Sequence, residues 1–256
     1  MSNPSNRREQ LRQQQQAEAA RSRTNRIIAI GAGLVALVLV AVFVVVLVQN
    51  QSRQAAAATV TPPNASSARN SIVVNPGKAA ADAPRVTLYL DYQCPNCKTF
   101  EEAYGSMLLQ EAQAGTWTLE NKTLTFMDKN LGNSASSRAA YAAACSDLTG
   151  KYSEYNAAVY ANQATAEVRG SEGYSQSLLR DQIPAQLGVT GEPLTQFQQC
   201  VDANATKAFV DTVEKSAYSD GVTGTPTIAI NGKTVELGKL TSGAPQALKD
   251  LLLASK

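Results

Sequence analysis

The sequence contains no histidine and only four cysteines among its 256 residues. Without histidine, Ser/His and Cys/His catalysis are excluded, and so is any zinc site with imidazole ligands. The remaining candidates for covalent or redox chemistry are the cysteines Cys94, Cys97, Cys145 and Cys200.

Net charge is also low, at +2, and it is unevenly placed along the chain. Residues 1–26 carry six arginines against Glu9 and Glu18, a balance of +4, so the remaining residues carry −2. The basic excess belongs to the N-terminal tail and does not form a nucleic-acid-binding face. We therefore expect no nucleic-acid partner.

One long uncharged stretch separates this tail from the rest of the chain. Residues 27–48 are 22 residues of mainly Val, Leu, Ile and Ala, long enough to cross a bilayer core of about 30 Å. The arginines on its N-terminal side predict a cytoplasmic tail, 1–26, and a single-pass cell-membrane protein whose later residues are extracytoplasmic. The alternative is a cleaved signal peptide, with the alanines at 55–58 as the cleavage region.

Residues 49–83 are rich in Ala, Ser, Pro, Asn and Thr, which predicts a disordered, flexible linker. A folded domain is then expected over 84–256. Strand patterns occur at 86–92, 119–127, 225–230 and 234–237, and helical composition at 98–114, 134–148, 151–161, 175–187, 193–217 and 244–254. This order predicts an α/β domain with a helical insertion at about 131–217.

The motif Cys94-Pro95-Asn96-Cys97 stands where the first strand of this domain gives way to a helix. A cysteine at a helix N-terminus faces unpaired backbone N–H groups and the positive end of the helix dipole, which favour the thiolate. Spacing of three residues allows the two sulfurs to form a disulfide. A structural disulfide, half of a metal site and a Cu(I) site are the alternatives.

A second motif, Gly224-Thr225-Pro226-Thr227, opens the third strand of the domain. With Asp91-Tyr92-Gln93-Cys94-Pro95-Asn96-Cys97, the following Phe100-Glu101 and the helical insertion, it resembles the DsbA-like branch of thioredoxin-fold thiol–disulfide oxidoreductases. The likeness extends from about residue 84 to the end, and is strongest to single-span, membrane-anchored forms of actinobacterial type.

This resemblance implies a role for each matching residue. Cys94 would be the exposed nucleophile, Cys97 the more buried resolving cysteine and Pro226 a cis-proline, while the backbone of Thr225 would pair with the substrate polypeptide. The redox-active disulfide would be sufficient without a cofactor. Expected partners are reduced secreted or cell-envelope polypeptides and a quinone-linked membrane protein of the DsbB or vitamin K epoxide reductase type.

The chain departs from the family pattern at three positions. Asn96 stands where the best-known oxidase has histidine, and Thr225 where it has valine; Leu88 stands where many thioredoxin-fold enzymes bury an acid. These residues affect thiolate stability, so the direction of electron flow stays open. We expect an oxidase; a reductase or isomerase, a non-catalytic thioredoxin-fold binding module and a Cu(I) carrier are the alternatives.

Cys145 and Cys200 both fall on predicted helices of the insertion. Two nearby cysteines outside the cytoplasm would be oxidised, so we predict a structural Cys145–Cys200 disulfide. A second redox pair is the alternative, but neither cysteine stands at a strand-to-helix junction.

Overall fold

We describe residues 39–43, 45, 59–166, 168–240 and 243–255 from a computed structural model of the chain. Contacts divide the chain into two units, Met1–Ala56 and Ala57–Lys256. The predicted tail 1–26 lies outside the described residues, and of the predicted span 27–48 only 39–43 and 45 are described, as helix. Across the described ranges, no helix combines the length and the apolarity needed to cross a membrane.

The second unit contains a five-stranded mixed sheet with the order β1-β3-β2-β4-β5. Strands β2 and β3 pair in parallel, while β1 with β3, β2 with β4 and β4 with β5 pair antiparallel. The predicted α/β class is confirmed. The strands are β1 (Ile72–Val73), β2 (Arg85–Asp91), β3 (Thr118–Leu124), β4 (Thr227–Ile230) and β5 (Lys233–Thr234).

The predicted helical insertion is present between β3 and β4. Its last helix also covers the sheet, because Lys122 of β3 donates to Ser216 at 2.8 Å and pairs with Asp220 at 2.6 Å. In chain order the described α-helices of the second unit are α1 (Pro95–Phe100), α2 (Ser106–Gln113), α3 (Met127–Leu131), α4 (Ala135–Ser146), α5 (Tyr152–Ala161), α6 (Ile183–Gln186), α7 (Gly191–Asp202), α8 (Lys207–Ser219) and α9 (Pro245–Ala254).

The central strand β2 is buried on both faces, which fixes the position of the CxxC motif that follows it. Val86, Leu88 and Leu90 alternate into the larger hydrophobic core, whereas Tyr89 packs in a smaller cluster on the opposite face. Such two-sided burial explains the nearly continuous apolar run in the sequence.

Several predicted boundaries move in the structure. The predicted strand 119–127 ends at Leu124, and Met127 instead begins α3. The predicted helix 193–217 is interrupted between α7 and α8, where Asn204 adopts a φ of 49°. Asparagine tolerates this left-handed conformation better than most residues, and one such residue is enough to end a helix.

The prediction of a flexible linker as far as residue 83 is wrong for residues 59–83. Strand β1 pairs with β3, and the side chains of Asn64 and Asn75 are tied to distant parts of the domain. Asn64 donates twice to the carboxylate of Asp147, at 2.7 Å each, and Asn75 donates to the carbonyl of Ala112 at 2.7 Å. Residues 49–58 lie outside the described residues.

Candidate active site

The CxxC motif lies at the junction between β2 and α1. Cys94 is the N-cap of α1, with an extended backbone, and Pro95 takes the first helical position. The N–H of Cys94 donates to the carbonyl of Asp91 at 3.1 Å, and the carbonyl of Cys94 accepts from Cys97 N–H at 3.0 Å. Asn96 projects from the exposed side of the first turn. Sequence placed the motif at a strand-to-helix junction, and the structure has it there.

The two cysteines of the motif are free thiols in this structure. Cys97 is fully buried and Cys94 is 6% exposed. Cys94 is more exposed than Cys97, as the family pattern implies, but it is far less exposed than a protruding nucleophile would be. Only a small part of Cys94 is therefore open to a substrate sulfur.

The Thr225-Pro226 loop contacts the Cys94 sulfur. Its peptide bond is cis, and the Cys94 thiol donates to the carbonyl oxygen of Thr225 at an Sγ···O distance of 3.4 Å. The structure thus brings together Cys94, Cys97, Thr225 and Pro226. The backbone of Thr225, which precedes β4, lies directly beside the reactive sulfur.

The surroundings of the two thiols separate their acidities. The largest effect on the pKa of Cys94 is a hydrogen bond from the Cys97 thiol, which lowers it. Burial acts in the opposite direction, but Thr225 and the N–H groups of Cys97 and Asn96 also favour the thiolate. Together these groups lower the pKa of Cys94 to about 6. Burial raises the pKa of Cys97 well above its ordinary value. Cys94 can therefore act as a thiolate near neutral pH, while Cys97 holds its proton.

Asp91, the last residue of β2, is completely buried. Its carboxylate accepts from the N–H of Gln93 at 2.9 Å, from the hydroxyl of Ser136 at 2.5 Å and from the N–H of Met127 at 3.1 Å. Burial nevertheless raises the pKa of Asp91 to about 7. Through these hydrogen bonds, the carboxyl group of Asp91 connects the residues before Cys94 to helices α3 and α4.

Gln93 strengthens the same connection. Its amide nitrogen donates to Asp128, Asn133 and Ser136, and its oxygen accepts from Asn133. The active-site loop is thus held by the first part of the insertion. No local sequence pattern indicates these contacts, because the partners lie 35 to 43 residues away.

Glu101 is a second acid near the motif, partly buried, that the sequence interpretation did not single out as a site residue. It begins a π-helical turn, Glu101–Gly105, that continues α1, and it accepts from the side-chain amide of Asn156 at 3.1 Å. Burial raises the pKa of Glu101 to about 7. Its position four residues after Cys97 places both on one side of the helix, a spacing visible in the sequence.

Lys98, one residue after Cys97, is partly buried. Its ammonium group donates to the backbone carbonyl of Tyr160 at 3.2 Å and pairs with Glu102 at 3.6 Å. Lys98 therefore connects the helix that carries the CxxC motif to helix α5 of the insertion.

Cys145 and Cys200 form a disulfide with a Cα–Cα distance of 5.9 Å. The bond joins helix α4 to helix α7, and both residues are buried. This pair belongs to the insertion and lacks the helix N-terminal setting of Cys94.

The described residues offer few ligands for a metal ion at this site. Within the described ranges, no group of three or more His, Cys, Asp or Glu side chains is placed to hold a metal ion. The two CxxC thiols would supply the soft ligands that Cu(I) prefers, and the part of the chain that the structure describes places no third ligand of these types with them.

Comparison with known proteins agrees with this architecture. Residues 74–250 match the family model described as Thioredoxin. Among curated proteins, none has significant sequence similarity to the chain.

Three solved structures illustrate the structural similarity. MdbA, a thiol-disulfide oxidoreductase from Actinomyces oris, is 21% identical over 76% of this chain and 92% of its own, with a TM-score of 0.59. MdbA from Corynebacterium diphtheriae is 19% identical, over 77% and 98%, with a TM-score of 0.58. DsbA from Mycobacterium tuberculosis is 19% identical, over 73% and 100%, with a TM-score of 0.54.

At these identities the solved structures establish a shared fold, and the family model covers more than half of the chain. The order of strands and helices, the CxxC motif at a helix N-terminus and the cis-proline beside it are all consistent with that match. The chain therefore belongs to the thioredoxin family.

Proposed function

We propose that this protein is an extracytoplasmic thiol–disulfide oxidoreductase that donates the Cys94–Cys97 disulfide to secreted or cell-envelope polypeptides. The observation that carries the proposal is the contrast between the two thiols: Cys94 has a lowered pKa and contacts Thr225, whereas Cys97 is buried with a raised pKa. This contrast suits one sulfur that exchanges with substrates and one that resolves the product. The two MdbA proteins, to which this chain is similar in fold, are described as thiol-disulfide oxidoreductases.

The reaction would proceed through a mixed disulfide. A substrate thiolate attacks Cys94 Sγ, the Cys94–Cys97 bond breaks, and its electron pair stays on Cys97, which takes up a proton. A second substrate thiolate then attacks the substrate sulfur of the mixed disulfide, and Cys94 leaves as a thiolate. The substrate loses two electrons, and the protein gains them.

The backbone of Thr225 would hold the substrate during this exchange. Its carbonyl lies 3.4 Å from Cys94 Sγ, at the end of a sheet strand. An extended substrate segment could pair with this backbone as an added strand, which would bring its cysteine to Cys94.

A reductase or isomerase is the second candidate, and the acidity of Cys94 is the observation that favours it. A pKa of about 6 lies nearer to the value of about 7 typical of thioredoxin than to the value of about 3.5 typical of DsbA. A less stabilised thiolate makes a weaker oxidant.

The cellular setting forms part of the proposal. The uncharged stretch 27–48 and the arginines before it favour a membrane anchor with a cytoplasmic N-terminus. Reoxidation would then fall to a quinone-linked membrane protein of the DsbB or vitamin K epoxide reductase type.

Two measurements test the proposal. Catalysed oxidative refolding of a reduced secreted protein should be abolished by Cys94→Ala, and continued turnover in this variant would exclude the assigned nucleophile. The reduction potential of the Cys94–Cys97 pair then separates the directions, since a value well above the glutathione range indicates an oxidase and one near thioredoxin's a reductant.

A further inference from the structure

The residues Asp91 to Cys94 form a turn between strand β2 and helix α1. The N–H of Cys94 donates to the carbonyl of Asp91 at 3.1 Å, and the peptide that joins Tyr92 to Gln93 lies at the centre of the turn. Pairing of β2 ends at Asp91 towards β3 and at Tyr89 towards β4, so the sheet supplies no partners for this peptide. Its C=O and N–H groups are buried and need partners from elsewhere.

Two side chains of the helical insertion bind the carbonyl of Tyr92. The side-chain amide of Gln163 donates to it at 2.7 Å, and the hydroxyl of Tyr174 donates to it at the same distance. Both side chains are buried, and they lie 71 and 82 residues after Tyr92 in the sequence. Burial also raises the pKa of Tyr174, so its hydroxyl keeps the proton that it donates.

The other side of the same peptide is bound as well, because the N–H of Gln93 donates to the carboxylate of Asp91 at 2.9 Å. A trans peptide is planar, and its C=O and N–H groups point in opposite directions, so hydrogen bonds to both groups fix the orientation of the plane. The common type I and type II turns differ mainly by a flip of this central peptide. These hydrogen bonds therefore hold the turn that leads to Cys94 in one geometry.

Tyr174 is itself held in place through its backbone. Arg138 of helix α4 donates to the carbonyl of Tyr174 at 2.9 Å and to the carbonyl of Glu172 at 2.5 Å. Between them, Gly173 has a φ of 62°, and a Cβ atom there would lie only 2.5 Å from the Cβ atom of Ala135. Glycine is thus required for the chain to pass close to helix α4 and to direct Tyr174 to the turn.

We propose that Gln163 and Tyr174 are positioning residues for disulfide exchange at Cys94. By fixing the peptide at the centre of the turn, they hold Cys94 Sγ 3.4 Å from the carbonyl oxygen of Thr225. The inference rests on the proposed function. It gives the helical insertion a direct part in setting the reactivity of the nucleophile.

The reactivity of Cys94 depends on its position in two ways. Its thiolate is stabilised by Thr225 and by the N–H groups of Asn96 and Cys97 at the start of helix α1, and these contacts weaken if the turn moves. The approach of a substrate sulfur is also sensitive to geometry, since a displacement of about 1 Å can cost on the order of 100-fold in rate. Loss of one donor to the Tyr92 carbonyl leaves the other, so we expect graded effects.

The experiment uses the full-length protein and the variants Tyr174→Phe, Gln163→Leu and their double variant. The first measurement is the rate at which a cysteine-containing peptide reduces the Cys94–Cys97 disulfide. Tyr174→Phe should slow this reaction about threefold and the double variant about tenfold or more. The second measurement is the pH profile of Cys94 alkylation by iodoacetamide, whose inflection should move from about pH 6 to about pH 6.5 or above in the double variant.

Tyr155→Phe is the matched control. Tyr155 is also a buried tyrosine, and its hydroxyl donates to the backbone carbonyl of Leu179 at 2.6 Å, within the insertion. This variant loses the same kind of hydrogen bond as Tyr174→Phe and should lose a similar amount of stability in urea, but its exchange rate and alkylation profile should match those of the wild type. Gly173→Ala, which displaces Tyr174, should slow exchange although the hydroxyl is retained.

Each result supports or overturns one of the two proposals. If the folded Tyr174→Phe and double variants behave as Tyr155→Phe does, with reduced stability but unchanged exchange rate and alkylation profile, the two residues are only structural and the inference is overturned. If the double variant does not fold, Tyr174→Phe decides. A wild-type disulfide that the peptide does not reduce would instead refute the proposed function.

Discussion

The sulfur of Cys94 lies 3.4 Å from the carbonyl oxygen of Thr225, although the two residues are 131 positions apart in the sequence. The β2–α1 junction sets one side of this contact and the loop before β4 sets the other, and β2 and β4 are neighbours in the sheet. A reactive sulfur and the backbone of Thr225 are thus positioned by the same part of the core. Substrate recognition and exchange can then occur at one place.

The first prediction concerns the reactivity of Cys94. With a pKa of about 6, the reduced protein should react with iodoacetamide at a rate that rises up to pH 6 and levels off above pH 7. Cys97→Ala removes the largest stabilising hydrogen bond and should lower the rate at pH 6 about tenfold, since hydrogen bonds to charged groups contribute about 1.5–3 kcal/mol.

Cys97→Ser is the control, because its hydroxyl can still donate to Cys94. It should keep most of the reactivity that Cys97→Ala loses. Equal profiles for the wild type and Cys97→Ala would show that the Cys97 thiol does not stabilise the thiolate.

A second prediction follows for the stability of the reduced protein. The pKa of Cys94 is lowered from an ordinary 9.0 to about 6, so its thiolate stabilises the fold at high pH, and this contribution is lost as the pH falls through 6. Relative to Cys94→Ser, the reduced wild type should gain stability between about pH 6 and 8. Urea unfolding under reducing conditions measures this difference, and a constant difference would contradict the prediction.

Asp91 should show the opposite dependence on pH. Burial raises its pKa from 3.8 to about 7, so ionisation destabilises the folded state progressively between these values. The stability of the wild type relative to Asp91→Asn should therefore fall as the pH rises from 4 to 7. Asp250→Asn, which changes an exposed carboxylate, should show no such trend in the same urea titration.

Asn75 tests whether residues 59–83 belong to the folded domain. Its side chain donates to the carbonyls of Ala112 and Trp117 and accepts from the N–H of Leu119. Asn75→Ala leaves these buried groups unpaired, so we expect a loss of about 2–4 kcal/mol in the free energy of unfolding. The exposed Lys78→Ala should change it by less than about 0.5 kcal/mol, and a flexible linker would make both variants silent.

The same segment shows what the sequence could not indicate. Its Ala, Ser, Pro and Asn content is typical of a linker, and strand β1 is only two residues long. This strand is stabilised by partners far along the chain, since Val73 pairs with Glu120 and Asn64 binds Asp147. Local composition carries no information about such contacts.

In the candidate site, too, local features could be predicted from the sequence and contacts with distant residues could not. Strand β2 and the helix start at Cys94 follow from local apolar and helix-forming patterns, and the order of elements indicated the α/β class. Glu101 and Glu102, by contrast, are adjacent and chemically alike, yet Glu101 is partly buried and Glu102 is exposed. The Glu101 side chain accepts a hydrogen bond from Asn156, 55 residues later, and lies close to Gly105.

The last prediction concerns the role of the Cys145–Cys200 disulfide. The bond closes a loop of 55 residues between helices α4 and α7, for which loop-closure entropy predicts a stabilisation of about 4 kcal/mol. The double variant Cys145→Ala/Cys200→Ala should lose a comparable amount in urea unfolding without reductant and still catalyse refolding below its unfolding midpoint. Cys94→Ser/Cys97→Ser, which removes the four-residue CxxC loop, should lose less stability and all activity. Loss of catalysis in the first variant while it is fully folded would instead indicate that Cys145 and Cys200 form a second redox pair.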